Sequence, residues 1–440
     1  MHPLTSCALS GILLCLGLPA WGEITPKPHT GPLGLNIQAE VESRYGHDSN
    51  LLWQQDDARA PGSDFIGLSP QVRMAGTRGL DRYQLSYQGD YRRYDSSRAD
   101  DYADHQLQFD GSWRFSLRNA FQLMYQYRLG HEARGEGITE GFLLQGDEGD
   151  ATFGWFNIAE PLQFRRTELG GRYSYGAPEA RGKLELAWSH KVMRYADKHG
   201  YLNGFDRYMT EQEWQENTAI AELFDQVSHA SRFRYTLQSN LRRYHASPRK
   251  DSDEYFLIAG VMSQLTGKTH VDANVGGIYK HFVNNPQAED FKGLNWDMRL
   301  DWQPLDYSRL SLLTSRTIRD PDGDGGYVSS LQYGAEWQHD WLPGVATRVS
   351  YADIQDNYHQ SVVCGGDNQH RLDEIHRWGM GISYDLRPSI NLGLNYQLAD
   401  ATSSFSGQPI EIGSGSGSAC YGRALGYDKQ QLSLSLKVAI

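Results

Sequence analysis

The chain closes on "LSLSLKVAI", in which Leu432, Leu434, Leu436, Val438 and Ile440 take every second position and Ser433, Ser435, Lys437 and Ala439 fall between them. A period of two sends one set to one face of a β-strand and the other set to the opposite face. The pattern recurs in Tyr83, Leu85, Tyr87 and Tyr91, in Phe121, Leu123, Tyr125, Tyr127 and Leu129, in Leu294, Trp296, Met298, Leu300 and Trp302, and in Trp378, Met380, Ile382, Tyr384 and Leu386. Runs that hold it for about eight residues predict roughly 18 strands. They lie near 35–45, 64–77, 81–94, 104–116, 120–130, 164–176, 182–195, 217–227, 232–244, 253–265, 270–282, 292–303, 308–317, 326–340, 346–354, 374–386, 389–399 and 427–440.

The connectors sort into two classes. Every even-numbered one is short, from "RGLD" and "SLRN" through "TGKT" to "RPS". The odd-numbered ones are longer, from about eight residues to roughly 33 between Leu129 and Phe164, as in a barrel with tight turns on one rim and long loops on the other. An even strand count brings both termini to the short-turn rim. The last strand is then expected to pair with the first, with lipid covering its apolar face.

At the other end, the apolar run Ile12–Leu18 and the small residues before Glu23 read as a secretory signal peptide over 1–22, too short to span a bilayer. A Pro-containing periplasmic linker over 23–34 and a barrel over 35–440 complete the expected organisation. Composition supports this class: 39% of residues are apolar and mean hydropathy is −0.60, yet there are 26 Tyr and 11 Trp. A soluble protein hides its aromatics and a helical membrane protein is far more hydrophobic, whereas a transmembrane β-barrel has one wet and one greasy face. The fold class is therefore all-β, an antiparallel up-and-down barrel of the Gram-negative outer membrane. A net charge of −12 argues against a nucleic-acid partner.

Little in the sequence carries enzymatic chemistry. Cys364 and Cys420 fall in neighbouring outer loops and are expected to form a disulfide in an oxidising compartment. "RDPDGDGGY" sets Asp320, Asp322 and Asp324 at calcium-loop spacing, but the twelfth position is Leu331, which makes it a turn-rich loop. His47, Asp48 and Ser49 are adjacent on a strand end and point to alternating faces, so they do not build a nucleophile and its base. The 15 His are scattered without metal-ligand spacing, and no cofactor motif is present. Opposite the apolar parity lie the lumen candidates Asp90, Arg92, Asp110, Arg114, Arg128, Lys191, Arg234, Arg242, Lys280, Asp297, Arg299 and Asp301. Both signs occur, which suits polar saccharides; equally, the groups could pair with one another and stiffen the wall.

The first hairpin, "EVESRYGHDSNLLW", with Tyr45, Asp48 and Asn50 followed by apolar residues, and the run of short-turn hairpins behind it resemble the outer-membrane β-barrel porins associated with exopolysaccharide and capsule export. This chain ends in Ile440 where such barrels commonly end in Phe. The resemblance implies about 18 strands and an outer-membrane exit for polysaccharide, with periplasmic export proteins and the barrel-assembly machinery as partners beside the bilayer. A general or sugar-selective uptake porin is the alternative, and an outer-membrane barrel hydrolase a third reading; the expectation is that the chain is not an enzyme.

Overall fold

The computed structural model describes residues 29–31, 34–55, 61–141, 158, 160–177, 180–196, 205–321, 326–362, 368–404, 410–412, 419–421 and 425–439, with backbone alone at 360–362, 368–370, 410–412 and 419–421. The segment assigned to a signal peptide lies outside them. Eighteen long strands among these residues form one closed antiparallel sheet. They are β1 Asn36–Asp48, β2 Ser63–Arg78, β3 Asp81–Tyr94, β4 Tyr102–Arg114, β5 Asn119–Glu132 and β6 Leu162–Tyr175. Then follow β7 Gly182–Tyr195, β8 Trp214–Gln226, β9 Ser231–Tyr244, β10 Ser252–Thr266, β11 Thr269–Phe282 and β12 Phe291–Leu305. The circle ends with β13 Ser308–Arg319, β14 Tyr327–Leu342, β15 Val345–Val362, β16 Asn368–Arg387, β17 Ile390–Ser403 and β18 Tyr427–Ala439. Each pairs with its sequence neighbours, and β1 pairs with β18 from Glu40↔Ala439 to Asp48↔Gln431. That register leaves no open sheet edge, the condition for backbone N–H and C=O groups to cross hydrocarbon.

The alternation sorts the faces as expected. Leu434 is 58% exposed and Leu257 66%, both on the outside, whereas Ser433 and Phe256 beside them are buried. Aromatic rings gather toward both rims. Tyr83–Trp113 and Trp337–Trp341 contacts lie near the short turns, and Tyr255–Tyr279 and Tyr351–Trp378 lie toward the loops. These are the interfacial girdles of an apolar band in a membrane.

Three features differ from the sequence expectation. The connector expected over 355–373 shrinks to 363–367, because β15 and β16 continue above the apolar band. There the ladder runs through polar positions such as Asp356↔Asp373 and Tyr358↔Arg371, which carry no hydrophobic alternation and whose carboxylates pair with Arg319 and Arg371. The sorting of connectors is accordingly looser than expected, since the short-rim connector 176–181 is longer than this loop. Ahead of the barrel, His29–Thr30 bridges to Ile37 and Asn36 at the start of β1. Finally, the interior is not uniformly polar: Phe256, Ile258, Ile278, Phe291 and Ile318 form a buried apolar cluster on the inner face of β10–β13.

Candidate functional site

Most of the charged residues expected along the lumen engage one another. Asp90 accepts hydrogen bonds from Arg44 at 2.6 Å, Ser69 at 2.7 Å and Tyr102 at 3.1 Å. Lys191 meets Glu168 at 3.4 Å, Arg234 meets Asp272 at 3.4 Å, and Arg299 meets Asp301 at 3.0 Å. Asp110 accepts from Gln108 and Asp297 from Asn274, while Arg128 lies 3.8 Å from Asp104. Arg114 sits exposed at the short-turn rim, away from the others. Arg242 and Lys280 converge on Asp320, with Glu216 and Glu254 as their second partners at 2.7 and 2.8 Å. Burial would push the Asp320 carboxyl up, but the two cations overrule it and hold it well below the usual carboxylate range. Asp320 is thus committed to the wall, and the remaining acidic positions of its loop, Asp322 and Asp324, lie outside the described residues. His47, Asp48 and Ser49 diverge as geometry requires. His47 binds Asp64 on the outer face at 2.7 Å, Asp48 meets Lys429 at 3.0 Å, and the Ser49 hydroxyl accepts from the Gln430 N–H. Cys364 and the side chain of Cys420 fall outside the described residues.

At the loop rim, loops and wall pack together. The described parts of the first outer loop (L1, 49–62), the third (L3, 133–161) and the fourth (L4, 196–213, with helix α1 Phe205–Glu211) pack inward rather than away from the barrel. Leu51 and Leu52 of L1, Ile138 and Ile158 of L3, and Phe205, Tyr208 and Met209 of α1 join inward side chains of β2, β6 and β7 in one buried cluster. Met209 and Leu162 are fully buried and Leu52 is 1% exposed, so this is a core and not a loose covering.

Beside this core a cavity of about 380 Å³ runs between the loops and the wall of β15–β18. Its loop side carries Trp53, Ala133 and Glu136; its wall side carries Ser350, Arg377, Gln397 and Lys429; Arg92, Tyr94 and Tyr102 close it from β3 and β4. Arg92 leans on rings, with its guanidinium carbon 4.3 Å from the Phe65 centroid and 5.6 Å from that of Tyr102. Its hydrogen bond goes to the Tyr94 hydroxyl at 3.3 Å. Lys429 lies 4.1 Å over the Trp53 ring, which in turn meets Tyr427 edge to face at 4.8 Å. Trp53 is the one non-glycine among the described residues with a left-handed backbone, at φ +53°. Holding a bulky residue there costs on the order of 1–3 kcal/mol, so the surrounding contacts must fix it in place. Burial pushes the Glu136 carboxyl above its ordinary range, against the pull of Lys429, His131 and Arg377.

Of the residues that line this cavity, only Arg92 is among the sequence-derived lumen candidates. Lys429 and Arg377 carry a readable signal, for Lys429 shares the parity of Lys437 and Arg377 lies opposite Trp378 and Met380. Trp53 and Glu136 sit in loops, where alternation says nothing.

The family described as "Putative beta-barrel porin 2" matches residues 226–412, which covers β9–β17 and leaves the L1–L3–L4 mouth outside. Comparison with curated proteins gave no match. Similar solved structures include the outer membrane protein OpdK of Pseudomonas aeruginosa, at 10% identity over 92% of this chain and 99% of that one, with a TM-score of 0.46. OccK2 (OpdF) of the same organism is 12% identical over 92% and 98% of the two chains, with a TM-score of 0.49. With its closed 18-strand wall, lipid-facing apolar band and aromatic girdles, the chain is an integral β-barrel of the Gram-negative outer membrane.

Proposed function

We propose that the protein is a passive channel that admits small polar solutes, anions ahead of cations, across the outer membrane into the periplasm. The observation that carries this reading is the mouth. A buried core of L1, L3 and L4 occupies one side of the lumen and leaves a cavity of about 380 Å³ against the opposite wall. A channel for a growing polysaccharide needs a continuous wide bore, whereas an inward core that narrows the entry suits single small solutes. The porin family match over the second half of the barrel supports the same class. The anion preference follows from how the cavity's charges are spent. Lys429 neutralises Asp48, Arg134 neutralises Asp100, and burial disfavours the charged form of Glu136. Arg92 and Arg377 lean on rings and the Tyr427 hydroxyl, leaving their charge to the solute.

Swelling of liposomes containing the purified protein tests the size limit. Monosaccharides should enter readily and oligosaccharides slowly; equal rates for long oligosaccharides would instead support polysaccharide export. Zero-current potentials in a salt gradient should show anion preference. In the same reading, residues 1–22 are removed on export, and Cys364 and Cys420 are joined. Peptide mapping without reductant should recover both in one product, and two alkylatable thiols in freshly isolated envelope protein would refute the bond.

A further inference from the structure

Two cations on the lipid-facing side near the loop rim show how such charges are ordinarily met. Arg243 of β9 pairs with Asp253 of β10 at 2.7 Å, and Lys292 of β12 lies 5.1 Å over the Tyr279 ring. The tops of β6 and β7 are built differently. Arg165 and Arg194 are direct cross-strand partners, and both carry the outward parity, one outward position above Thr167 and Val192 and two above Leu169 and His190. Side chains so paired have Cβ atoms about 4.5–5.5 Å apart, and like charges directly opposite destabilise a sheet. Arg165 is exposed, and among the described residues it makes no hydrogen bond or ion pair. Arg194 has Glu213 at 3.8 Å, outside hydrogen-bond reach, and its Nη1 has no hydrogen-bond partner among the described residues. The Glu213 carboxylate already accepts the Tyr195 N–H at 2.9 Å. One distant acid therefore faces two arginines, and the pair keeps an excess of positive charge.

We propose that Arg165 and Arg194 bind a phosphate group of the phosphorylated glycolipid that forms the outer leaflet of this membrane. The loop end of such a barrel faces the outside of the cell. Below Arg194, β7 presents Leu184, Leu186 and Trp188 to lipid, so the two arginines stand where hydrocarbon gives way to headgroups. Charge complementarity selects the occupant. Two guanidinium groups held in opposition offer two N–H forks, and one phosphate has the oxygens and the charge to accept from both. A phosphatidylcholine headgroup offsets its phosphate with its own ammonium, and a sugar hydroxyl carries no charge to relieve the repulsion. The placement has a consequence for the mouth. On the inner side of the same strand ends, Leu162, Phe164, Met193 and Tyr195 belong to the buried core that holds L1, L3 and α1. A phosphate that clamps β6 to β7 from outside steadies the strands that carry this core.

Native mass spectrometry of the full-length protein, released from detergent micelles containing diphosphorylated lipid A, measures the association directly. Arg165→Gln and Arg194→Gln should each weaken the first lipid A bound about tenfold, the scale of one lost hydrogen bond to a charged group. Arg243→Gln, which removes a cation of the same rim that Asp253 already matches, should bind as wild type does. Stability supplies a second readout, with a sign that a purely structural role would not produce. In phosphatidylcholine vesicles Arg165→Gln should unfold at the same or a higher denaturant concentration than wild type, because the repulsion is relieved; with lipid A added, the order should reverse. Equal lipid A affinity in wild type and both Gln variants would overturn the site, as would a loss of stability in Arg165→Gln that is the same with and without lipid A. Equal weakening toward lipid A stripped of its phosphates would overturn phosphate recognition and leave acyl contact alone. Displacement of lipid A by equimolar inorganic phosphate would overturn the lipid assignment and leave a site for a free anion.

Discussion

The wall and the mouth of this barrel are built on opposite principles. In the wall, each strand repeats the same instruction, apolar outward and polar inward, and neighbours agree because a one-residue slip would invert a whole strand. In the mouth, no repeat exists. Leu51, Leu52, Ile138, Phe205 and Met209 come from three separate loops and meet only because the wall brings those loops to one side. The wall's stability is distributed and lipid-dependent, whereas the mouth is a small water-excluding core of the kind found in soluble domains. A single substitution can therefore damage one and spare the other.

The largest separation should come from Met209→Ala, which deletes a fully buried side chain in α1. A cost of about 2–5 kcal/mol is expected for such a truncation, confined to the mouth. Hydrogen exchange should accelerate in 205–211 and in L1 while β9–β18 remain protected. Uniform acceleration around the barrel would show that mouth and wall unfold together. The complementary break is in β18. Leu434→Arg places a charge against lipid and should cost about 2–4 kcal/mol, while Ser435→Arg faces inward and should cost far less. Denaturant titration of refolding into vesicles measures both. A larger loss from Ser435→Arg would invert the assignment of faces.

That contrast also explains what the sequence discloses. Parity alone places Leu257 and Leu434 outside and Ser433 inside, and all 18 strands follow from it. It fails above the membrane, where β15 and β16 are extended by Asp356, Tyr358, Arg371 and Asp373, whose ion pairs and ring contacts obey no apolar period. It also fails to distinguish a charge offered to solute from one used up in the wall. Arg242 and Lys280 look as available in the sequence as Arg377 does, yet both are tied to Asp320, a residue that reaches them only through the fold. The cavity is least legible of all, because Trp53 and Glu136 lie in segments whose path is decided by the apolar core beneath them.

The smallest predicted effect concerns the charge that the mouth contributes to the wall. The folded pKa of Glu136 is raised by burial, so in the folded protein this carboxyl keeps its proton to a higher pH than it would in the unfolded chain. Between those two values the unfolded state binds fewer protons, and the fold around Glu136 loses stability as pH rises. Selectivity should move in the same interval. As pH climbs through the raised value, Glu136 gains its negative charge facing Lys429, His131, Arg377 and Asp48, and the anion preference of the cavity declines. Substituting Glu136→Gln should flatten this slope and increase anion preference only at pH above the raised value, by a few-fold at most, the scale of one partly solvated charge at effective ε near 20. Zero-current potentials measured across the pH range in wild type and variant check it. Parallel curves would mean that the loop side of the cavity does not face the permeating ion, and that the wall residues Arg92 and Arg377 set the selectivity alone.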